Sequence, residues 1–100
     1  MDGTNKLLDQ FIGAVSQIST VVVPVGNTFQ VSPHVQVAIF CAKKLLPLVD
    51  DFATKNHVVG ILHDIYKELR EDIKVRGTVV NGKKHPALET SLQAYRIIIS

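Results

Sequence analysis

The chain has a single cysteine, Cys41, no tryptophan, and four phenylalanines and two tyrosines as its only aromatics. One thiol cannot close an intrachain disulfide, and a zinc site would have to draw nearly all its ligands from other residue types. A reducing, cytoplasmic setting is therefore expected. The aromatics fall in no RNA-reading motif, and 11 Lys and Arg against 9 Asp and Glu, net +2, is too slight an excess to mark a nucleic-acid surface. No uncharged apolar stretch reaches the ~18 residues of a membrane-spanning helix. The opening MDGTNKLLDQ has an acid at position 2 and no basic cluster leading into an apolar run, so it does not read as a signal peptide. Asn-x-Ser/Thr sites are absent too.

Catalytic signatures are also missing. The chain contains no glycine-rich phosphate loop, nucleophile elbow or dinucleotide fingerprint. None of His34, His57, His63 and His85 pairs at the i, i+4 spacing of a helical zinc motif, and they read as cap-adjacent or surface histidines. Asp50 and Asp51 are adjacent, so on a helix they point in different directions and cannot clasp one atom. They read as solvated charge. The expectation is a non-enzyme without cofactor or metal.

What the chain does have is apolar periodicity. With 46% hydrophobic and 20% charged residues over 100 positions it should fold as one all-α domain around one core. About four amphipathic helices are expected. Thr4 or Asn5 can cap the first, whose apolar positions Leu7, Leu8, Phe11, Ile12, Val15, Ile18 and Val22 follow helical spacing. It should fray through Ser19 to Val23, where three β-branched valines favour extended backbone, and end at Pro24 and Gly26. Val25 to Val31 then reads as a loop or short extended piece.

Ser32-Pro33 supplies an N-cap and a first-turn proline for the second helix. Its stripe is Val35, Ala38 or Ile39, Ala42, Leu45, Val49 and Phe52. Pro47 falls inside that stripe and predicts a kink near Lys43 to Leu46. The join is placed at Ala53 to Asn56, with Asn56 capping a third helix to about Val75. Its stripe is Val58, Ile61 or Leu62, Ile65, Leu69 and Ile73, with Lys67, Glu68, Arg70, Glu71 and Lys74 turned outward. Lys67, Arg70, Lys74, Arg76, Lys83 and Lys84 read as a solvated face interleaved with Glu68, Glu71 and Asp72, or as weak attraction to anionic lipid. Arg76 to Lys84 is turn-rich, and His85-Pro86 opens a fourth helix with Leu88, Leu92, Tyr95 and Ile98 or Ile99 on one face. Three isoleucines directly before Ser100 suggest that the natural chain continues.

The run Ala42-Lys-Lys-Leu-Leu-Pro-Leu-Val-Asp-Asp-Phe52, followed by Ile61-Leu-His-Asp-Ile-Tyr-Lys-Glu-Leu69, resembles the first segments of the glycolipid transfer protein family. It looks closest to the plant accelerated-cell-death branch, whose ligands are phosphorylated ceramides. The match covers roughly Val35 to Ile73, so the chain would correspond to the N-terminal half of one such domain. The resemblance implies an all-α, two-layer sandwich that takes a sphingolipid's hydrocarbon chains between its layers, transiently touching a membrane. Asp64 would occupy the headgroup carboxylate position, where an ionised group makes strong hydrogen bonds. Four residues on, where the family places Asn or Lys, stands Glu68, with Lys67 beside it.

Asp64, Lys67 and Glu68 are therefore the expected ligand-binding residues. Two other readings stand next to a sphingolipid carrier. One is a small helical module that binds a partner helix or a second copy of itself. The other is a half-domain without lipid affinity, self-associating through its apolar faces.

Overall fold

The chain leaves helix earlier than its apolar pattern predicts. In the computed structural model, which describes residues 2–26, 28–76, 79–80 and 83–84, the first helix, α1, spans Asp2–Ser16. Thr4 and Asn5 lie inside it rather than capping it. The Ser16 hydroxyl donates to the Gly13 carbonyl at 2.9 Å, and the amides of Gln17 and Ile18 reach back only three residues, to Ala14 and Val15. Such tightened bonds use carbonyls that a continuing helix would have bonded one turn on.

The valines then settle in a strand. β1 (Val22–Val25) pairs antiparallel with β2 (Thr28–Val31), in the register Val22↔Val31, Val23↔Gln30, Pro24↔Phe29 and Val25↔Thr28. The stretch expected as a frayed helix end and then a loop or short extended piece is a β-hairpin, and Val22 belongs to a strand rather than to the face of α1. Gly26 has φ 61°, a left-handed conformation open to glycine at little cost, in the two-residue connection. The ladder gains one further bond, from the Ser32 amide to the Val21 carbonyl at 2.8 Å. Val21, Val22 and Val31 turn into the core, while Val25 stays exposed.

Ser32 and Pro33 start the second helix as expected. α2 spans Pro33–Leu45, and the buried Ser32 hydroxyl accepts from the Val35 amide at 3.3 Å. The predicted stripe is buried at Val35, Ala38, Ala42 and Leu45, with Cys41 joining it. At Pro47 the helix stops instead of kinking. Leu46–Leu48 forms a single 3₁₀ turn and Val49 turns extended at φ −90°, ψ 114°. Proline tolerates the start of a short turn, where no amide donor is needed, but not the interior of an α-helix.

The third helix, α3, begins at Phe52 and runs to Arg76. The expected join at Ala53 to Asn56 therefore lies within it. Asp51, not Asn56, caps it: its carboxylate accepts from the Thr54 amide at 2.8 Å and from the Thr54 hydroxyl. Phe52, expected in the core, is 76% exposed. Val58, Leu62, Ile65 and Leu69 form the buried stripe as predicted. A short antiparallel ladder follows, β3 (Val79–Val80) with β4 (Lys83–Lys84), where a turn-rich connection was expected. The expected fourth helix, the side chain of Ile73 and the histidine at position 85 lie outside the described residues.

Among those residues the protein is mostly helical, with three α-helices. α1 and α2 run close together, with the small residues Ala14, Ala38 and Ala42 in the core between them. Phe11, Leu45, Leu62, Leu69, Val22, Val35 and Val58 are its largest fully buried side chains. The backbone of α3 stands further from α1, and that spacing leaves grooves between the two.

Candidate functional site

Helical spacing sorts the polar residues of α3 into two edges. Asp64, Glu68, Glu71 and Asp72 recur at i, i+4, i+7 and i+8, so they share one side of the helix. His63, Lys67 and Arg70 each precede an acid by one position and are therefore displaced by about 100°. All seven are exposed except Asp72, which is half-buried. The arginine is engaged on its own edge, with its guanidinium carbon 5.8 Å from the centre of the Tyr66 ring.

The acidic edge borders a groove between the end of α1 and the middle of α3. Its lower part has a volume of about 240 Å³. Val15 and Ile18 of α1 and Ile61 and Ile65 of α3 line it, with Asp64 and Glu68 at the rim. The upper part, about 390 Å³, lies where Ser19, Thr20 and Val21 face Lys67, Glu68, Glu71 and Asp72. Glu68 borders both. Asp64 also edges an open depression of about 420 Å³ on the outer surface of α3, beside His57, Gly60 and His63.

The three expected site residues are thus brought to one region. Asp64 and Glu68 share the apolar-floored part, and Lys67 enters only the upper part. The apolar stripes of α2 and α3 are largely buried together in one core: Val35, Ala38, Ala42 and Leu45 with Val58, Leu62 and Leu69. The opposite wall, Val15 to Val21, was not foreseen as part of a site.

Electrostatics across the groove are one-sided. Between Gln10 and Ala42 the sequence holds no Lys, Arg, Asp or Glu, so the α1 wall brings no formal charge. The last turn of α1 has no basic residue either. Asp64, Glu68 and Glu71 form no ion pair among the described residues, while the side chains of Lys74, Arg76, Lys83 and Lys84, the other cations of the expected interleaved face, lie outside them.

Elsewhere the titratable groups are structural. Thr54, through its hydroxyl and then its amide, holds the Asp51 carboxyl below the usual carboxylate range. Burial pushes the Cys41 thiol up, and its sulfur lies 3.9 Å from the Gln10 side-chain oxygen, a weak contact between α2 and α1. No group of three His, Cys, Asp or Glu side chains that could hold a metal occurs among the described residues. No helix there is long and apolar enough to cross a membrane. The chain matches no protein-family model, no curated protein and no solved structure.

Proposed function

We infer that this chain is a non-catalytic, helical protein-interaction module that recognises its partner through the groove between α1 and α3. The observation that carries the reading is the groove itself, an apolar floor of Val15, Ile18, Ile61 and Ile65 under the exposed carboxylates of Asp64 and Glu68. Its form suits a partner laid along the surface. Sites that enclose a small ligand bury most of it, whereas both parts of this groove are open to solvent and accommodate a row of side chains. From Ile61 to Asp72 the groove follows about three helical turns of α3, roughly 17 Å. An amphipathic helix presents apolar anchors at that repeat.

A second reading, the sphingolipid carrier, is favoured by one feature. Asp64 stands beside an apolar cleft, the relation implied by the glycolipid transfer protein resemblance. Two experiments separate the readings. Titrating the ¹⁵N-labelled chain with amphipathic helical peptides should move the amide resonances of Val15, Ile18, Ile61, Ile65 and Glu68. Absence of shifts, or shifts confined to other surfaces, removes the interaction reading. A carrier should instead speed movement of a fluorescent sphingolipid between vesicles, with Asp64→Ala abolishing the effect.

A further inference from the structure

We propose that the occupant of this groove is a basic amphipathic helix of a partner protein, one that lays its apolar face on Ile61 and Ile65 and sets lysines or arginines against Asp64, Glu68 and Glu71. The proposal rests on the interaction reading above and adds the partner's charge.

Two independent features point to a cationic partner. The first is placement. The acids fall at i, i+4 and i+7 along one edge of α3, in register with both parts of the groove, while Arg70 faces Tyr66 on the other edge. The second is the facing wall, which contributes no formal charge over the whole of Gln10 to Ala42 and cannot neutralise them. Together these make the described lining of the groove predominantly acidic in a chain whose net charge is +2. Among the described residues Lys67 is the cation lining the upper part, against Glu68, Glu71 and Asp72.

A negatively charged cleft with an uncharged wall raises the local concentration of cations and rejects anionic partners. An acidic or neutral helix could use the same apolar floor but would leave the acids unsatisfied or opposed. Specificity would come from that repulsion as much as from attraction.

The test uses two synthetic helical peptides with the same leucines at i, i+3, i+4 and i+7, one flanked by lysines and the other by glutamates. Binding is followed by fluorescence anisotropy against the wild-type chain and the Glu68→Lys/Glu71→Lys variant. Both changes are on exposed positions, and circular dichroism confirms that the variant is folded. The lysine peptide should bind the wild type about tenfold or more tightly than the glutamate peptide, reverse that preference on the variant, and weaken as salt rises. Equal binding of both peptides overturns the charge assignment while leaving the groove as a docking surface. So does lysine-peptide binding that the variant does not change. Binding of neither peptide overturns the interaction reading with it. A wild-type dimer that the variant dissociates names a second copy as occupant, and overturns the proposal as well.

Discussion

Phe11 and its neighbour Ile12 make the sharpest test of how α1 is seated. Both belong to the apolar spacing of the first helix, and the pattern alone treats them alike. In the structure Phe11 is fully buried, whereas Ile12 is 48% exposed. Removing a buried phenylalanine side chain forfeits its transfer free energy and leaves a cavity that helices relax into only partly. Phe→Ala at such sites costs about 3–5 kcal/mol. A domain of this size has roughly 5–15 kcal/mol in total, so Phe11→Ala should take a large share of it. With a urea dependence of about 2 kcal/mol per molar, the unfolding midpoint should fall by about 2 M. Ile12→Ala loses only partly buried methyl groups, and alanine's better helix propensity returns a few tenths of a kcal/mol. Its cost should stay below about 1 kcal/mol. Urea titrations followed by circular dichroism at a helix band measure both. If the two variants fell within about 1 kcal/mol of each other, or their order reversed, the inward face of α1 would be wrongly assigned.

Gly60 lies within α3 on its exposed side, and a Cβ built there meets no heavy atom within 4 Å. Gly60→Ala should therefore stabilise the chain by about 0.5–1 kcal/mol, a rise in Tm of roughly 2–8 °C; an unchanged or lower Tm in calorimetry refutes it. Because Thr54 depresses the folded-state pKa of Asp51, the stability this cap supplies is present above the carboxyl's unfolded pKa and is lost as pH falls through the folded one. Asp51→Asn keeps a cap that does not titrate, so the wild type should be the more stable near neutrality, with the difference vanishing in acid. A difference independent of pH would show that the charge contributes nothing. Cys41 is 1% exposed and its thiol pKa is raised, so a disulfide-exchange reagent should label it only at the rate of unfolding. Rapid stoichiometric labelling of the native chain would contradict its place in the core.

Legibility followed the range of the forces involved. The start of α2 was readable because Ser32 and Pro33 act within one turn, and the stripes of α2 and α3 because burial imposes the 3.6-residue repeat. The end of α2 was not. Val49 continues the stripe in phase, so Pro47 resembled a kink, yet the chain reaches that buried position by a 3₁₀ turn and an extended residue. The helix boundary at Asp51 is obscured because an aspartate beside Asp50 reads as solvated charge, and only the bonds from Thr54 mark it as a cap. The hairpin left a local signal, β-branched Val21 to Val23 and the alternating Phe29 to Val31 flanking Gly26-Asn27, a two-residue turn pair. The helical spacing through Ile18 and Val22 outweighed it. Asp64 and Glu68 share one side of the helix by their i, i+4 spacing, the family resemblance adds Lys67 beside them, and the acid repeat through Glu71 is equally visible. What spacing could not supply was the opposite wall.

That wall and the hairpin have a single cause. Had α1 continued to Val22, as its apolar positions allow, another turn and a half of helix would have run on beside Lys67 to Asp72. Instead α1 stops at Ser16 and the chain passes Ser19, Thr20 and Val21 into β1, where Val21 and Val22 turn into the core. α1 is 15 residues long against 25 for α3, about 22 Å against 37 Å at 1.5 Å per residue. The longer helix therefore extends past the end of the shorter one, and its acidic edge lies against small, neutral loop residues rather than against helix. The valine run that frustrates helix formation in α1 is thus the feature that opens the groove. Restoring helix there, by replacing Val21 to Val23 with alanine and leucine, should narrow the upper groove and weaken a peptide bound in it.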